Sequence, residues 1–481
     1  MKTLAKGRLL ITASAITGFL LVAVGMVIAF TSAGARAGGL PTSDELLSVR
    51  IAQAEDECLV CHQDSTPGIV SQHLASNHFT ANTSCSDCHL VEEGYPGAVQ
   101  HPEEDFFVLA RSSSGMCAEC HLQEVQQFNL SRHGLPSYVA YAGAQGLSEE
   151  QLALYEAIPE GGADPFGRSL RARNIIHALE GEAFTPFTCE ACHDVGAPNP
   201  DGSVGDCTGC HIRHEFSLEQ VRRPETCNNC HIGPDHPQWE IYVESSHGIA
   251  YQTMGDEWNW EAEPGTLTTV DMSAPTCATC HFSGFGGAPT THDVGDRLGW
   301  YLAAAITTER PNFFENRLRM QGVCRACHSN NFIEEFYVSA DESIATVNDF
   351  VRFSDAIMQP LRDNGLITAA PFDEPIEYVH YELWHHFGRT AKSGVWMQGP
   401  DYAQWHGVYE ILKDLAELRE MADEILVENG YPPLEMPEGF PSIDAARAYL
   451  SAPEATAEST PPNPAVDLLV TPVGAENAPG G

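Results

Sequence analysis

Cys189-Glu190-Ala191-Cys192-His193, Cys207-Thr208-Gly209-Cys210-His211 and Cys227-Asn228-Asn229-Cys230-His231 are three copies of one pentapeptide in close succession. The same Cys-x-x-Cys-His pattern stands at Cys58, Cys61 and His62, at Cys85, Cys88 and His89, and at Cys117, Cys120 and His121. It returns at Cys277, Cys280 and His281 and at Cys324, Cys327 and His328, so eight copies use all 16 cysteines. Two thiols at this spacing form thioethers with one porphyrin, and the histidine on the next residue is then held within reach of its iron. A lone copy reads equally well as half a zinc site or a redox dithiol. Eight copies that consume every cysteine do not. The chain is expected to carry eight covalently bound haem c groups, which leaves open whether it is an enzyme or an electron conduit.

A chain this dense in haem does not build its core from aliphatic side chains alone. The porphyrins form much of the core, and short helices and loops wrap them. The expected fold is mainly α: an octahaem multihaem cytochrome c fold with a C-terminal bundle of long helices and little sheet. Residues 38–335 form the haem-binding domain, in which the motifs starting at 189, 207 and 227 make neighbouring haems. The gap before residue 189 holds helical stretches near 148–157 and 171–179. Residues 336–450 lack cysteine and form a C-terminal helical domain, with helices near 344–363, 376–395 and 401–428. The last follows Gly399-Pro400, takes Asp401 as N-cap and stops at Asn429-Gly430. Trp405, Val408, Leu412, Leu415, Leu418, Ala422 and Ile425 give it an apolar stripe at helical spacing. Residues 451–481 are rich in Pro, Ala, Glu and Gly and read as a disordered tail.

The N-terminus carries Lys2, Lys6 and Arg8, an apolar run from Leu9 to Phe30, and Ala35-Arg36-Ala37. That order of basic, apolar and small residues makes residues 1–37 a secretory signal peptide. The run is also long enough to span a bilayer, so a retained N-terminal membrane anchor is the alternative. Both readings export residues 38 onward to a periplasmic or other extracytoplasmic space. The formal charge of -41 excludes nucleic acid as a partner and suits a basic electron-accepting cytochrome c. Plain solubility explains the same charge.

Of 21 histidines, eight belong to the motifs. The distal ligand candidates among the rest are His78, His101, His133, His214, His247, His292 and His385. Ser131-Arg132-His133-Gly134 and Ser245-Ser246-His247-Gly248 share a Ser-x-His-Gly form, and Ser76-Asn77-His78 matches it in part. A glycine beside the ligand lets backbone lie close to a porphyrin face. An electron carrier favours two axial ligands per iron, whereas a catalytic haem needs one position open. The histidine count alone does not reveal an open site.

Eight haem motifs followed by a cysteine-free helical segment resemble the hydroxylamine oxidoreductase family of octahaem cytochromes. Four further stretches carry the resemblance: Gly233-Pro234-Asp235-His236-Pro237-Gln238; Glu244-Ser245-Ser246-His247-Gly248; Thr291-His292-Asp293-Val294 running on to Arg297-Leu298-Gly299-Trp300; and Trp384-His385-His386-Phe387-Gly388-Arg389 leading to Asp401-Tyr402-Ala403-Gln404-Trp405-His406-Gly407. The resemblance implies that the fourth haem, on Cys189, Cys192 and His193, is catalytic and lacks a distal protein ligand. It implies that Asp235 and His236 face the substrate. It also implies that Tyr402, from a neighbouring subunit of a homotrimer, bonds covalently to the fourth porphyrin, with Tyr409 as the fallback. Tyr301 matches a further active-site tyrosine by position only.

The implied activity is oxidation of hydroxylamine to nitrite or nitric oxide. Hydrazine oxidation, nitrite or hydroxylamine reduction and a non-catalytic electron conduit are the alternatives. Hydroxylamine oxidation releases electrons and protons together, so a proton acceptor is needed beside the electron acceptor. Asp235 is assigned that role, with His236 as its partner and a hydrogen-bonding group for substrate. Without the resemblance, Asp235 and His236 read as a pair capping a turn, and Tyr402 as a packing aromatic.

Overall fold

A computed structural model describes residues 56–158 and 175–452. The proposed signal or anchor, the lead-in before residue 56, residues 171–174 of the expected 171–179 stretch and the tail beyond residue 452 lie outside the described residues, while Ile175–Glu180 is helical. The chain forms two compact units, with the boundary in sequence between Ala75 and Ser76. In the first, a helix at Glu57–Ser65 carries the first motif and is followed by one at Pro67–Ala75. Asp56 starts the former by accepting a hydrogen bond from the Cys58 amide at 2.9 Å.

In the second unit the haem motifs sit on single helical turns. His121, His211, His231 and His328 each donate a backbone N–H to the first cysteine of their own motif, at 2.8–2.9 Å. This i to i+4 closure puts both thiols and the imidazole on one short turn. Small polar residues begin many of these turns: Ser84 forms a capping box with Asp87, and Ser113 and Thr276 accept amide hydrogen bonds. The connecting elements are short as well. A helix at Glu149–Ala157 begins where the sequence placed it, with Ser148 and Gln151 forming a capping box. The sheet is small: Phe107–Val108 pairs antiparallel with Leu90–Val91 on one side and Val99–Gln100 on the other. Mainly α with little sheet is the architecture found.

The C-terminal helices differ from the sequence reading in register. The helix expected from residue 344 runs over Asn330–Asp363, 34 residues, with Ser329 as its cap. It begins directly after the motif histidine His328, because Ser329 is extended there and its hydroxyl accepts the Phe332 amide as N-cap. The next two helices each contain a π-helical turn. One runs Pro375–Glu382, Leu383–Gly388 and Arg389–Trp396, and the other Pro400–Ala403, Gln404–Val408 and Tyr409–Glu428. A π-turn inserts a residue and rotates the rest of its helix relative to the preceding turns. Trp405 therefore falls outside the buried stripe and is 57% exposed, while Leu415, Leu418 and Ala422 are fully buried as expected. Ile411 and Leu426 complete that stripe. Gly430, at φ +82°, ends the helix in a conformation glycine adopts without strain. The largest hydrophobic cluster joins this stripe to Phe353, Ile357, Leu361 and Trp384.

Candidate haem cradle and redox site

Five motif histidines each face a second imidazole. His89 faces His214 with ring centroids 6.2 Å apart, His121 faces His78 at 6.2 Å, and His211 faces His292 at 6.3 Å. His231 faces His133 at 6.0 Å and His328 faces His247 at 6.1 Å. Two imidazoles on opposite faces of one iron, each nitrogen about 2 Å from the metal, have ring centres roughly 6 Å apart. The residues present therefore fit haem. The apolar side chains directly after four of the motifs agree: Leu90, Leu122, Ile212 and Ile232 are exposed, as side chains that meet a porphyrin face would be in the bare polypeptide.

The other two distal candidates lie elsewhere. His101 sits in the turn between the second and third strands, its ring 4.9 Å from Phe106. His385 lies on the first π-turn, stacked on Tyr381 at 4.2 Å and with Nδ1 3.1 Å from Asp235 Oδ1. Among the described residues, no imidazole ring contact faces His193 or His281. The ring beside His193 is Tyr141, at 5.8 Å.

Motif histidines are oriented through Nδ1. His193 Nδ1 lies 2.7 Å from the Ser137 carbonyl, His89 Nδ1 2.7 Å from that of Leu109, and His231 Nδ1 3.2 Å from Gln238 Oε1. His62 Nδ1 lies 3.0 Å from Thr66 Oγ1. Donation from Nδ1 leaves Nε2 as the metal-binding nitrogen and sets the plane of the ring. Burial pulls the proton affinity of His193 down, and the Ser137 carbonyl partly offsets it. The fourth motif also differs in its next residue. Asp194 stands where four other motifs carry Leu or Ile, and it accepts a 2.7 Å hydrogen bond from Tyr141 Oη.

The charges of Asp235 and His236 reach His193. Asp235 is half-buried and engaged on both oxygens. Oδ2 is 2.7 Å from His236 Nδ1, while Oδ1 accepts from Arg389 Nη1 at 2.5 Å and lies near His385. Burial pushes its carboxyl up, but the Arg389 guanidinium, the His236 hydrogen bond and His385 outweigh burial and hold it well below the usual carboxylate range. Burial and Arg389 in turn push His385 well below the ordinary histidine value. The sequence pointed to Asp235 and His236 but gave Arg389, in the Trp384–Arg389 stretch, no role. Arg389 is 154 positions away along the chain, so no local pattern joins it to Asp235.

Tyr301 lies under the Arg310 guanidinium at 5.3 Å, and burial raises its phenol. Tyr402 is held through its backbone: Glu244 Oε1 accepts from the amides of Asp401 and Tyr402 at 3.0 and 3.2 Å. The Tyr402 ring packs on His406 at 4.7 Å. Among the described residues, no hydrogen bond or ring contact joins Tyr402 to His193, Asp235 or His236 within one chain. Tyr409 packs on Trp405 at 5.2 Å and is exposed.

These turns and facing imidazoles define a multihaem c-type cytochrome. Residues 188–375 match the family described as "Seven times multi-haem cytochrome CxxCH". The chain is similar to a probable nitrite reductase-hydroxylamine oxidoreductase fusion protein of Kuenenia stuttgartiensis, 29% identical over 261 residues. That match covers 50% of this chain and 27% of the relative, so the chain spans only about a quarter of the relative's length. A solved structure titled "Hypothetical multiheme protein" shares the fold with a TM-score of 0.66 at 22% identity, covering 80% of this chain and 99% of the other. A chain of the Kuenenia stuttgartiensis reducing HAO-like protein complex Kustc0457/Kustc0458 does so with a TM-score of 0.57 at 19% identity, covering 80% and 87%. Among the described residues, no helix is long and apolar enough to cross a membrane.

Proposed function

We propose that this cytochrome oxidises hydroxylamine at the haem held by Cys189, Cys192 and His193, and that the seven other haems carry the electrons to a basic cytochrome c. The reading rests chiefly on one observation: Asp235 and His236 form a hydrogen-bonded pair whose charges reach His193, a motif histidine that no described imidazole faces, while the His236 ring itself lies 6.1 Å from that of His231. A haem with an open position supplies substrate binding and electron acceptance there. The protein's part is proton handling. Conversion of hydroxylamine and water to nitrite releases four electrons and five protons, so a base must stand by.

The geometry redistributes the roles assigned from sequence. Asp235 has both oxygens engaged and is held ionised, which makes it a poor proton acceptor. It accepts the Nδ1–H of His236, fixes that tautomer and leaves His236 Nε2 as the basic nitrogen. This division of labour matches the carboxylate and imidazole of a catalytic triad. Tyr402 is the proposed point of covalent attachment to the fourth porphyrin, donated across a homotrimer. Its helix is capped by Glu244, and among the described residues its phenol meets no catalytic partner in its own chain. Export to an extracytoplasmic space, by a cleaved signal or on a retained anchor, belongs to the same proposal.

The test is anaerobic addition of hydroxylamine to the oxidised holoprotein, followed through haem reduction. Reduction is expected in the wild type, and Asp235→Asn should slow it by about 10²–10⁴-fold at unchanged haem content. A wild type that stays oxidised would sink the oxidative reading. The reverse direction, nitrite or hydroxylamine reduction, is the second reading, supported by the name of the Kuenenia relative. The reduced spectrum separates the two. A red-shifted band that Tyr402→Phe removes, with seven ordinary haems remaining, supports oxidation; its absence from the wild type favours reduction.

A further inference from the structure

We propose that Arg389 is a positioning residue that ties the two walls of this site together and thereby sets where His236 Nε2 points; the inference rests on the function proposed above. One guanidinium reaches in two directions. Nη1 donates to Asp235 Oδ1 at 2.5 Å, and Nε donates to the Ala303 carbonyl at 2.7 Å. The first contact fixes the loop that carries Asp235 and His236. The second fixes the segment that leaves Tyr301.

The side chain is itself well supported. Its guanidinium lies 5.4 Å from the ring centre of the buried Trp384. One turn further along the same helix, Lys392 is fully buried and grips the same segment. Its Nζ donates to the Ala304 carbonyl and to Thr307 Oγ1, both at 2.8 Å. The π-turn at Leu383–Gly388 lies immediately before Arg389 and carries His385, so both residues reach the same Asp235 oxygen. Arginine suits this span because its donors form a rigid planar fork, whereas a lysine ammonium is a point charge on a flexible stem.

The consequence for His236 is geometric. With Oδ1 committed to Arg389, Oδ2 is directed at His236 Nδ1. Without Arg389 the carboxylate is free to turn about its Cβ–Cγ bond, and the imidazole loses its fixed tautomer and direction. A displacement of about 1 Å at such a group costs on the order of 10²-fold in rate.

The experiment compares Arg389→Gln, Arg389→Lys, Asp235→Asn and the double variant Asp235→Asn/Arg389→Gln as purified holoenzymes of matched haem content. Hydroxylamine is the substrate. Arg389→Gln is expected to lower kcat by about 10²-fold while KM stays within about threefold, and Arg389→Lys to recover part of the loss. The double variant should be no slower than Asp235→Asn alone, since Arg389 acts through Asp235. Losses that multiply in the double variant, or an Arg389→Gln enzyme within about twofold of wild type, overturn the proposal. A crystal structure of Arg389→Gln supplies the readout that needs no turnover. The Asp235–His236 hydrogen bond should be lost or re-aimed, and an unmoved pair overturns the proposal. A wild type inert to hydroxylamine sinks the function reading alone, because the structural readout still decides the role of Arg389.

Discussion

The haem-binding segment after residue 75 and the helices after residue 330 solve the same problem in different ways. The former is built from turns and helices of four to twelve residues, with half-exposed apolar side chains beside its motifs. The latter has helices of 34 and 20 residues around one large hydrophobic cluster. A chain pays for its ordering with buried apolar surface. The C-terminal helices find that surface in their own side chains. The haem-binding segment has only smaller clusters of its own, around Trp258, Trp260 and Met272 and around Leu135 and Val139, and porphyrins would supply the remainder.

The largest expected effect comes directly from this contrast. A chain produced without haem attachment should lose order across residues 76–329 while keeping most helical content of residues 330–450. Limited proteolysis with mass mapping reads this, and equal protection of both regions in the haem-free chain would break the comparison. A smaller effect is expected inside the C-terminal cluster. Leu415 is fully buried, so Leu415→Ala should destabilise by about 2–5 kcal/mol. Val427, exposed on the same helix, should tolerate alanine to within about 0.5 kcal/mol. Denaturant midpoints of the two holoprotein variants check the contrast.

The subtlest effect concerns Lys392. Burial, with Arg389 nearby, brings its ammonium from an ordinary value of 10.5 down to about 7. The folded state then binds fewer protons than the unfolded state between those values. The contribution of this group to stability is poorest below pH 7 and improves as pH rises toward 10.5. Lys392→Met removes that dependence, so the wild type should gain stability relative to the variant between pH 7 and 9.5. Parallel melting profiles would show that Lys392 keeps its proton throughout.

Local features were legible in the sequence where a few neighbouring residues decide them. The turn at Cys189-Glu190-Ala191-Cys192-His193, the Ser148 cap and the stop at Asn429-Gly430 are all of this kind. The π-turns were not, because their extra residue leaves no compositional mark. Trp405, read as part of a buried stripe, is exposed for that reason. Of the redox site, Asp235 and His236 were visible as adjacent residues resembling a known pair. Arg389 and His385 reach Asp235 through tertiary packing, which no local sequence pattern records across 154 and 150 positions. His385 read from sequence as a spare imidazole in search of an iron, yet its neighbours are a carboxylate and a tyrosine ring.

The ribosome makes a chain from its N-terminus, so position along the chain is also position in time. The last haem motif ends at His328, and Arg389 comes about sixty residues later. Every cysteine has therefore emerged before Arg389, which donates to Asp235. A protein cut short between His328 and Arg389 would carry all eight Cys-x-x-Cys-His motifs and lack the contact between Arg389 and Asp235. The order of synthesis thus places every Cys-x-x-Cys-His motif ahead of the helix that carries Arg389 and closes the contact with Asp235.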